Sequence, residues 1–275
     1  MHFLVHSLGS GSSGNSTLIL GGKTKVLLDA GFSVRELQKR LAKFSVSLSD
    51  LDAVFVTHEH VDHSRSVHAI SSGFGVPVVA NPATLGVLSR ERAPLKWWAL
   101  DTGKSAPVGD LLVESFPISH DARDPVGYNF YCKDWKVSFV TDTGVAGEEI
   151  VRSMEGADLA IVEANHDVER LKAGPYPQFL KRRILSDLGH LSNDAAADLI
   201  LKHLAGRTGP TSIWLGHLSD TNNTPEIARS HIEQRLSEAG CENVALDVAL
   251  QHPASLTWHP GITPVQTSLF EPGLS

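Results

Sequence analysis

Residues 57–63 have the sequence THEHVDH and place four potential metal ligands within six positions, namely His58, His60, Asp62 and His63. Side chains alternate faces along an extended segment, so His58 and His60 point the same way. Asp62 and His63 fall at the turn into the next helical pattern, where they can reach a second centre. Imidazole and carboxylate ligands suit zinc, iron or manganese. The spacing therefore predicts a metal centre, against the alternative of a solvated polar loop.

The overall composition limits how a substrate could be attracted. The 275 residues carry a formal charge of −7, so no global positive field recruits nucleic acid, and an anionic substrate must be held locally. Cys132 and Cys241 are the only two cysteines, which suits a reducing compartment. The first residues lack a signal-peptide pattern and no run of about 18 apolar residues occurs, so we expect a cytoplasmic protein without a membrane span.

Short runs rich in β-branched residues recur along the chain, each bounded by Gly, Pro, Asp or Asn, and predict strands. Mixed strands with helices outside them predict an α/β fold, a four-layer αββα sandwich of two mixed β-sheets flanked by helices. The predicted strands are HFLVHSL, STLIL, KVLL, AVFV, PVVA, LLVESFP, KVSFV, LAIV, SIWL and NVAL, and the predicted helices are Val34–Lys43, Ser64–Ser72, Glu148–Met154, Asp194–His203 and Pro225–Glu238.

The chain is expected to form one domain over residues 1–258, because no linker interrupts it. Residues 259–275 are Pro- and Gly-rich without a period and are predicted to be a tail. The last predicted helix is well marked, since Thr224 can cap it and Gly240 lies just beyond its end. His203 falls in a helical pattern and is predicted to be a solvated surface residue.

A strand followed by T-H-x-H-x-D-H resembles the signature of the metallo-β-lactamase fold superfamily. The resemblance implies that Asp29 in LLDAG orients ligand imidazoles without binding metal itself. It also implies that His120, at the end of VESFPISH, is the next metal ligand, and that Asp142 in FVTDTG bridges two divalent cations, zinc or manganese. The first cation would take His58, His60 and His120, the second Asp62 and His63, and both would share Asp142.

The pentapeptide LGHLS occurs twice, at Leu188–Ser192 and Leu215–Ser219, with different flanks. His217 directly follows the apolar run SIWL and is placed to supply the missing ligand of the second cation. His190 precedes a helical pattern, where it can meet an anion, and the alternative is a plain helix-capping contact. In ribonuclease Z-like members of the superfamily, histidines in these two positions face the scissile phosphate and bind metal, respectively. We therefore assign His190 to the phosphate or leaving group and His217 to metal.

Other residues are candidates for the proton chemistry. Asp62 would orient the attacking water besides holding a metal. Glu163 and His166, in VEANHD, follow the predicted strand LAIV. They are predicted to position or protonate groups around the site, or alternatively to pin the loop. His166 is the main rival of His190 for the role of proton donor.

Two features favour phosphodiesters as substrates. The turn SLGSGSSGNST could cradle a phosphate with backbone N–H groups and hydroxyls, although an ordinary tight turn is the alternative. The run KRR on an otherwise acidic chain could be a local basic patch, although charge runs are usually solvated helix faces. The predicted phosphate contacts are Ser12, Ser13, Gly14, Asn15, Lys181, Arg182 and Arg183.

The whole set of motifs resembles the YycJ-like branch of the superfamily. It comprises GSGSSGN, LLDAG, THEHVDH, EANHD, YPQFLKRRILSDLGHLSN and GHLSDTNNTPEIA. The resemblance implies a metal-dependent phosphodiester hydrolase, specifically a double-stranded DNA exonuclease of replication and repair. The alternatives are a small-molecule, for example cyclic-nucleotide, phosphodiesterase and an RNA-processing nuclease. A non-enzymatic metal-bound scaffold ranks below these, because the predicted ligand set is complete.

The tail contains QTSLF at residues 266–270. It resembles the Q-x-x-L-F peptide by which bacterial replication and repair enzymes bind the DNA sliding clamp. Gln266 would fix the register while Leu269 and Phe270 enter an apolar groove. The alternative is that both apolar side chains pack on their own domain. Dimers are common in such folds, so a homodimer stays open beside a monomer.

Overall fold

The computed structural model describes residues 3–90, 95–207, 209–241, 243–252, 254 and 256–261. Fourteen strands are found in these residues, in two sheets of seven. They are β1 Phe3–Gly9, β2 Ser16–Gly21, β3 Thr24–Leu28, β4 Ala53–Phe55, β5 Val78–Ala80, β6 Trp97–Ala99, β7 Ser105–Val108, β8 Leu111–Pro117, β9 Val126–Cys132, β10 Trp135–Val140, β11 Leu159–Glu163, β12 Thr211–Gly216, β13 Val244–Val248 and β14 Thr257–Trp258.

The two sheets have matching topologies. The first has the order β14-β1-β2-β3-β4-β5-β6, antiparallel from β14 to β3 and parallel from β3 to β6. The second has the order β13-β12-β11-β10-β9-β8-β7, parallel from β13 to β10 and antiparallel from β10 to β7. Both sheets are therefore mixed, as the sequence predicts.

Helices cover the outer face of each sheet. One apolar cluster lies between the two sheets. A second cluster joins the first sheet to its helices, and a third joins the second sheet to its helices. The predicted four-layer αββα sandwich is thereby confirmed. The helices are α1 Val34–Ala42, α2 Val61–Ser64, α3 Val67–Phe74, α4 Pro82–Leu88, α5 Glu148–Met154, α6 Val168–Ala173, α7 Gln178–Ile184, α8 Asn193–Leu204 and α9 Pro225–Glu238, with a 3₁₀ turn at Leu48–Asp50.

The capping prediction for α9 is confirmed. The Thr224 hydroxyl accepts a hydrogen bond from the Ile227 amide at 3.2 Å, and Pro225 occupies the first turn. Gly240 follows the helix with φ of 66°, a left-handed conformation that favours glycine. Within the described part of the chain, no helix combines the length and the apolar composition that crossing a membrane requires.

Two expectations are wrong, and the sequence does not predict several elements, among them β6, β7, β9 and α7. The helix predicted over Ser64–Ser72 is two helices, because the chain leaves α2 and restarts after Ser66, whose hydroxyl donates to the Phe32 carbonyl oxygen at 2.6 Å. Strand β9 was not expected, since Gly127 and Asn129 break its β-branched pattern although it is almost wholly buried. His203 is only 5% exposed, and this burial lowers its pKa to about 4.

The predicted tail falls largely outside the described residues. Of residues 259–275, the structure describes only 259–261. The clamp-binding peptide, with Gln266, Leu269 and Phe270, lies entirely outside them.

The loops that carry the candidate site residues all leave the same edge of the sandwich. Strands β1, β3 and β4 of the first sheet end there, and so do β8, β10, β11 and β12 of the second, because these strands run in the same direction within each sheet. The turns at residues 22–23 and 133–134 lie at the opposite edge, since they begin β3 and β10. The fold thus separates its catalytic candidates from its hairpin turns.

An aromatic cluster in the central core supports the segment that carries THEHVDH. Phe55, the last residue of β4, contacts Tyr128, Phe130 and Trp98 edge to face, with ring centroids 5.4 to 6.0 Å apart. Such aromatic pairs contribute beyond the area that they bury. This cluster fixes the end of β4 two residues before the metal motif begins.

Replacing Phe55 by Ala should leave a cavity in this cluster and lower the free energy of unfolding by about 3–5 kcal/mol. The measurement is equilibrium denaturation by urea, followed by circular dichroism. Leu112→Ala is the control, because Leu112 lies on a strand but is 44% exposed, and it should cost less than about 1 kcal/mol. Equal losses in the two variants would contradict the role given to this cluster.

Candidate functional site

The structure brings all the predicted metal ligands together at the edge where the strands end. Their potential ligand atoms form overlapping groups in which every atom lies within 4.8 Å of the others. One group holds His58, His60 and His120, and another holds Asp62, His63 and His217. The juxtaposition is the one that two neighbouring cation sites would require.

The first group is assembled from two loops. His58 Nε2 lies 3.0 Å from His60 Nδ1, and the two rings meet edge to face. The ring of His120 is centred 5.1 Å from each of them. His120 Nδ1 donates to the Gly189 carbonyl oxygen at 3.1 Å, which leaves Nε2 for the centre of the group.

In the second group, one carboxylate faces two imidazoles. Asp62 Oδ2 lies 3.4 Å from His63 Nε2 and 3.5 Å from His217 Nε2. On the far side of its ring, His63 Nδ1 donates to Asp29 Oδ2 at 2.8 Å. Asp29 in turn accepts from the backbone amide of Thr57 at 2.9 Å. These contacts are what an orienting role for Asp29 requires.

Asp142 lies between the two groups. Its Oδ2 is 3.2 Å from His63 Nε2, while its Oδ1 is 3.4 Å from His217 Nε2 and 3.9 Å from His120 Nε2. Among the described residues, neither Asp142 Oδ2 nor His217 Nε2 finds a partner with hydrogen-bond geometry, although both atoms are buried. A buried polar atom without a partner is costly, so these two atoms are suited to binding a cation.

Glu163, at the end of β11, holds the two LGHLS histidines. Its Oε1 accepts from His190 Nδ1 at 2.7 Å and from His217 Nδ1 at 2.9 Å. Its Oε2 accepts from the backbone amides of Thr143 and Leu191, each at 3.1 Å. Because both Nδ1 atoms donate to a carboxylate, each ring presents Nε2 elsewhere. His217 turns it towards Asp62 and Asp142, whereas His190 lines the open cavity.

The electrostatics of the cluster favour positive charge. Burial opposes ionisation of His217, but Asp142, Asp62 and Glu163 outweigh it and raise its pKa to about 10. Burial likewise opposes the charged form of His63, and Asp142 and Asp29 raise its pKa well above the ordinary value.

The pKa values of His58, Glu163 and Asp142 are lowered instead. Burial, together with the neighbouring His63, keeps the pKa of His58 well below its usual range. Burial opposes ionisation of Glu163, yet the bonded imidazoles lower its pKa to about 2. The pKa of Asp142 is also held well below its usual range, since His217 and His63 outweigh the effect of burial. The carboxylates of Glu163 and Asp142 are thus ionised, and a nearby positive charge stabilises them.

Three of these residues have a strained backbone. Asp29, Asp142 and His217 each follow a strand and have φ of 59°, 59° and 53°, in the left-handed region that non-glycine residues rarely adopt. Such conformations cost about 1–3 kcal/mol each and cluster at functional sites. The strand ends therefore turn sharply to aim these side chains at one point.

Several backbone amides of the predicted phosphate cradle already donate within the protein. The backbone amides of Ser13, Gly14 and Asn15 already donate to Gln251 Oε1, the Gly11 carbonyl and the Asp62 carbonyl, respectively. The Asn15 side chain is buried, with Nδ2 3.0 Å from His63 Nε2, so it supports the ligand cluster instead. Of the four loop residues, Ser12 lines the cavity.

The loop approaches the ligand turn closely because of a glycine. A Cβ added at Gly31 would lie 1.6 Å from the Asp62 carbonyl oxygen and 2.7 Å from the Asn15 amide nitrogen. No side chain fits there, so Gly31 permits the contact between the Asn15 loop and the turn that carries Asp62 and His63.

The predicted basic patch is reduced to one arginine. Lys181 is buried and donates to the Lys172 carbonyl at 2.6 Å, so it is wrong as a phosphate contact. Arg182 is exposed but does not line the cavity. Arg183 does line it, and its Nε and Nη2 donate to Asp121 at 2.5 and 3.0 Å.

Asp121 is a site residue that motif analysis missed. Its Oδ1 lies 3.4 Å from His120 Nε2 and 3.9 Å from His60 Nε2, so it is a further carboxylate beside the first ligand group. The arginine and the imidazoles lower its pKa, with the hydrogen bond from Arg183 contributing most. Its only sequence signal is that it directly follows His120.

His166 does not lie where a proton donor would. It is 1% exposed and is not among the described residues that line the cavity. Burial lowers its pKa to about 4, so its ring is neutral at physiological pH. The rivalry between His166 and His190 therefore favours His190 on geometric grounds.

An open cavity of about 210 Å³ leads to the cluster. Polar residues from seven chain segments form its floor, and a second set from α7 and the residues before it forms one wall. The residues that line it are Ser12, His60, Asp62, His120, Asp142, Asn165, Tyr176, Leu180, Arg183, Ile184, His190, His217 and Ser219.

Comparison with known proteins agrees with this arrangement. A family model described as the beta-lactamase superfamily domain matches residues 24–213. The solved structure of YhfI from Bacillus subtilis, described as a metallo-beta-lactamase fold protein, is similar with a TM-score of 0.71 at 17% identity, over 94% of this chain and 100% of that one. This likeness concerns the fold alone.

Two curated bacterial relatives match most of the chain. The protein named exodeoxyribonuclease WalJ, from Streptococcus pneumoniae, is 40% identical over 242 residues, which are 86% of this chain and 89% of that protein. The protein named exodeoxyribonuclease YycJ, from Bacillus anthracis, is 35% identical over 243 residues, or 87% and 90% of the two chains.

Cation binding should displace protons from this cluster. The raised pKa values of His63 and His217 mean that both rings are protonated in the cation-free protein at pH 7, and a cation competes with those protons. The affinity for Zn²⁺ should therefore rise as the pH is raised from 7 towards 10. Calorimetric titration in two buffers of different ionisation enthalpy measures the protons released.

The variant His217→Asn should release about one proton fewer per chain than the natural protein. His231→Asn is the matched control, because His231 lies on α9 outside the cluster. A binding heat that does not depend on the buffer would contradict the protonation state inferred for the two rings.

Proposed function

The chain belongs to the beta-lactamase superfamily, and from that premise we propose that it is a metal-dependent phosphodiester hydrolase that digests double-stranded DNA from its ends. The observation that carries this proposal is the 35–40% identity to two proteins named exodeoxyribonucleases over nearly nine-tenths of each chain. The geometry supports it, because His190 lines the cavity directly beside the ligand cluster.

The donor set fits two divalent cations. His58, His60 and His120 would hold one, Asp62, His63 and His217 the other, and Asp142 would contact both. Imidazole nitrogens and carboxylate oxygens suit zinc and manganese alike. The unpartnered Asp142 Oδ2 and His217 Nε2 support this assignment, since a cation would satisfy both buried atoms.

When bound, such cations lower the pKa of a water molecule towards about 7 and stabilise the charge that develops on phosphorus. The chain's own groups supply the rest. Asp62 is 21% exposed and lines the cavity, so one carboxylate oxygen can orient an attacking water while the other faces His63 and His217. Arg183 contacts the cavity with a guanidinium group that can bind a phosphate oxygen.

His190 would act on the leaving oxygen. Glu163 occupies Nδ1 of its ring, so Nε2 is the nitrogen through which His190 can donate a proton into the cavity. Glu163 itself is fully buried and bonded through both oxygens, so it positions His190 and His217 and does not touch a substrate. Of the roles expected of Glu163, the positioning role is the one that these contacts support.

The biological setting follows from the same proposal. We place the enzyme in the cytoplasm, in DNA replication and repair, as one hydrolase domain over residues 1–258 with a tail over 259–275. The QTSLF peptide would bring it to the sliding clamp, which raises its effective concentration on DNA despite a net charge of −7. A homodimer remains the alternative to a monomer.

Asp62→Asn should abolish DNA digestion, because the amide can neither hold a cation as strongly nor orient the attacking water. The assay uses end-labelled linear duplex DNA, single-stranded DNA, RNA and a cyclic dinucleotide, each with Zn²⁺ or Mn²⁺ restored after chelation. We expect metal-dependent shortening of the duplex by the natural protein, with a loss of at least about 10³-fold in the variant.

Asp134→Asn serves as the matched control, since Asp134 is exposed in the turn at the opposite edge of the sandwich. Its activity should equal that of the natural protein. Turnover of the cyclic dinucleotide with intact duplex DNA would replace the exonuclease proposal by a small-molecule phosphodiesterase, and preferential shortening of RNA would replace it by an RNA-processing nuclease.

The two LGHLS histidines should be separable by substitution. His217→Ala should reduce the cation content measured by plasma mass spectrometry, because a ligand is lost. His190→Ala should keep the cations but lower kcat by about 10²–10⁴-fold, the usual contribution of a positioned proton donor. Loss of cations from His190→Ala, or full cation content in His217→Ala, would reverse the two assignments.

A further inference from the structure

One wall of the cavity differs in character from the rest. Among the described residues that line it, every apolar or aromatic side chain comes from a single segment, with Tyr176 before α7 and Leu180 and Ile184 within it. The remaining lining residues are Arg183, on the same helix, and Ser, Asn, Asp or His residues from other segments. The cavity therefore has a polar, cation-binding floor and one apolar wall.

Two of these side chains share a helix face, because Leu180 and Ile184 are four residues apart on α7. Tyr176 precedes the helix and lines the same cavity. The helix is anchored to the domain, because Lys181 donates to the Lys172 carbonyl at the end of α6. The wall is therefore supported and does not need a partner to form.

A cation stands at one end of the wall. Arg183 lines the cavity and donates two hydrogen bonds to Asp121, which lies 3.4 Å from His120 Nε2. The guanidinium is thus next to the imidazole cluster, while Leu180 lies about one helical turn earlier and Tyr176 precedes the helix. A ligand that matches this sequence of groups has an anionic end and a flat apolar end.

Size favours a single nucleotide. The cavity of about 210 Å³ is smaller than the about 300–1,000 Å³ of pockets that enclose drug-sized ligands, so it admits one terminal unit of a chain and not a duplex. Apolar surface continues outside the cavity at Phe179, which is 68% exposed on the same helix.

We propose that Tyr176, Leu180 and Ile184 form the subsite for the nucleobase of the terminal nucleotide, with the Tyr176 ring stacked on the base and Arg183 at its phosphate. This inference rests on the proposed nuclease function and adds that the terminal base is unpaired when it is bound. Stacking tolerates any base, because every base has a π-face. Tyr176 is thus a positioning residue for the reaction, and digestion should be insensitive to terminal sequence.

The test compares duplexes whose terminal nucleotide carries a base with duplexes whose terminal nucleotide is abasic, at the 3′ or the 5′ end. For the natural protein, the missing base should raise KM for the first cleavage roughly 5- to 150-fold with little change in kcat. Tyr176→Ala should show this raised KM on the normal end and no further rise on the abasic end. Tyr176→Phe, which keeps the ring, should behave as the natural protein.

A binding measurement keeps the test independent of turnover. With Asp62→Asn, which should not cleave, a terminal 2-aminopurine should lose fluorescence on binding, and adding Tyr176→Ala should abolish the loss. Tyr131→Ala is the matched control, since Tyr131 lies on β9 outside the cavity, and its discrimination against abasic ends should be unchanged.

Equal KM for normal and abasic ends in the natural protein would overturn the proposal, as would a Tyr176→Ala variant that loses kcat equally on both. In either case the apolar surface of α7 would be a face for a protein partner. A natural protein that leaves every DNA end intact would instead refute the nuclease function, so the two failures are distinguishable.

Discussion

The carboxylate of Glu163 is the contact on which the arrangement of the site depends. It lies at the end of a central strand, fully buried, and binds two imidazoles and two backbone amides at 2.7 to 3.1 Å. These partners come from the loop after β10, the loop before α8 and the end of β12. A single buried group therefore joins three otherwise separate loops. It also turns the two LGHLS histidines in different directions, because both donate Nδ1 to this carboxylate and each points Nε2 elsewhere.

The second constraint is charge. Four carboxylates lie in the same cluster, those of Asp29, Asp62, Asp142 and Glu163. Buried carboxylates without a counter-charge would be prohibitively costly. Protonated imidazoles offset this charge when no cation is bound, and cations would do so when they are. The same donors thus serve both the stability of the fold and the chemistry of the site. The strained backbones of Asp29, Asp142 and His217 persist because the sheets behind them leave no alternative path.

The sequence predicted what depends on residue type and spacing. The sandwich, the caps of α9 and the meeting of His58, His60 and His120 with the second ligand group could all be anticipated, since strand ends and motif spacing carry that information. The internal bonding of the predicted phosphate cradle could not be anticipated, because a motif does not reveal which amides are already bonded. The backbone amides of Ser13 and Asn15 donate within the protein. The burial of Lys181 could not be anticipated either, because it depends on how the segments pack together.

A different limit applies to the residues that were missed. Asp121 has no motif of its own and gains its place only through the pairing with Arg183. Strand β9 was missed because Gly127 fits against the Phe116 ring, where a Cβ would approach within 2.3 Å, so close packing overrides strand propensity. The position of Tyr176 beside the site follows only from the cavity that this residue lines. In each case the information lies in contacts between distant segments.

The separation of the two edges of the sandwich has a practical consequence. The turn at Lys133–Asp134 begins β10, whose six residues span roughly 20 Å before the chain reaches the site. The far edge is therefore remote from the predicted metal ligands. A dye, an affinity handle or a surface tether attached at this turn would leave the mouth of the cavity facing the solution. Single molecules immobilised there would all present the same orientation to a passing DNA end.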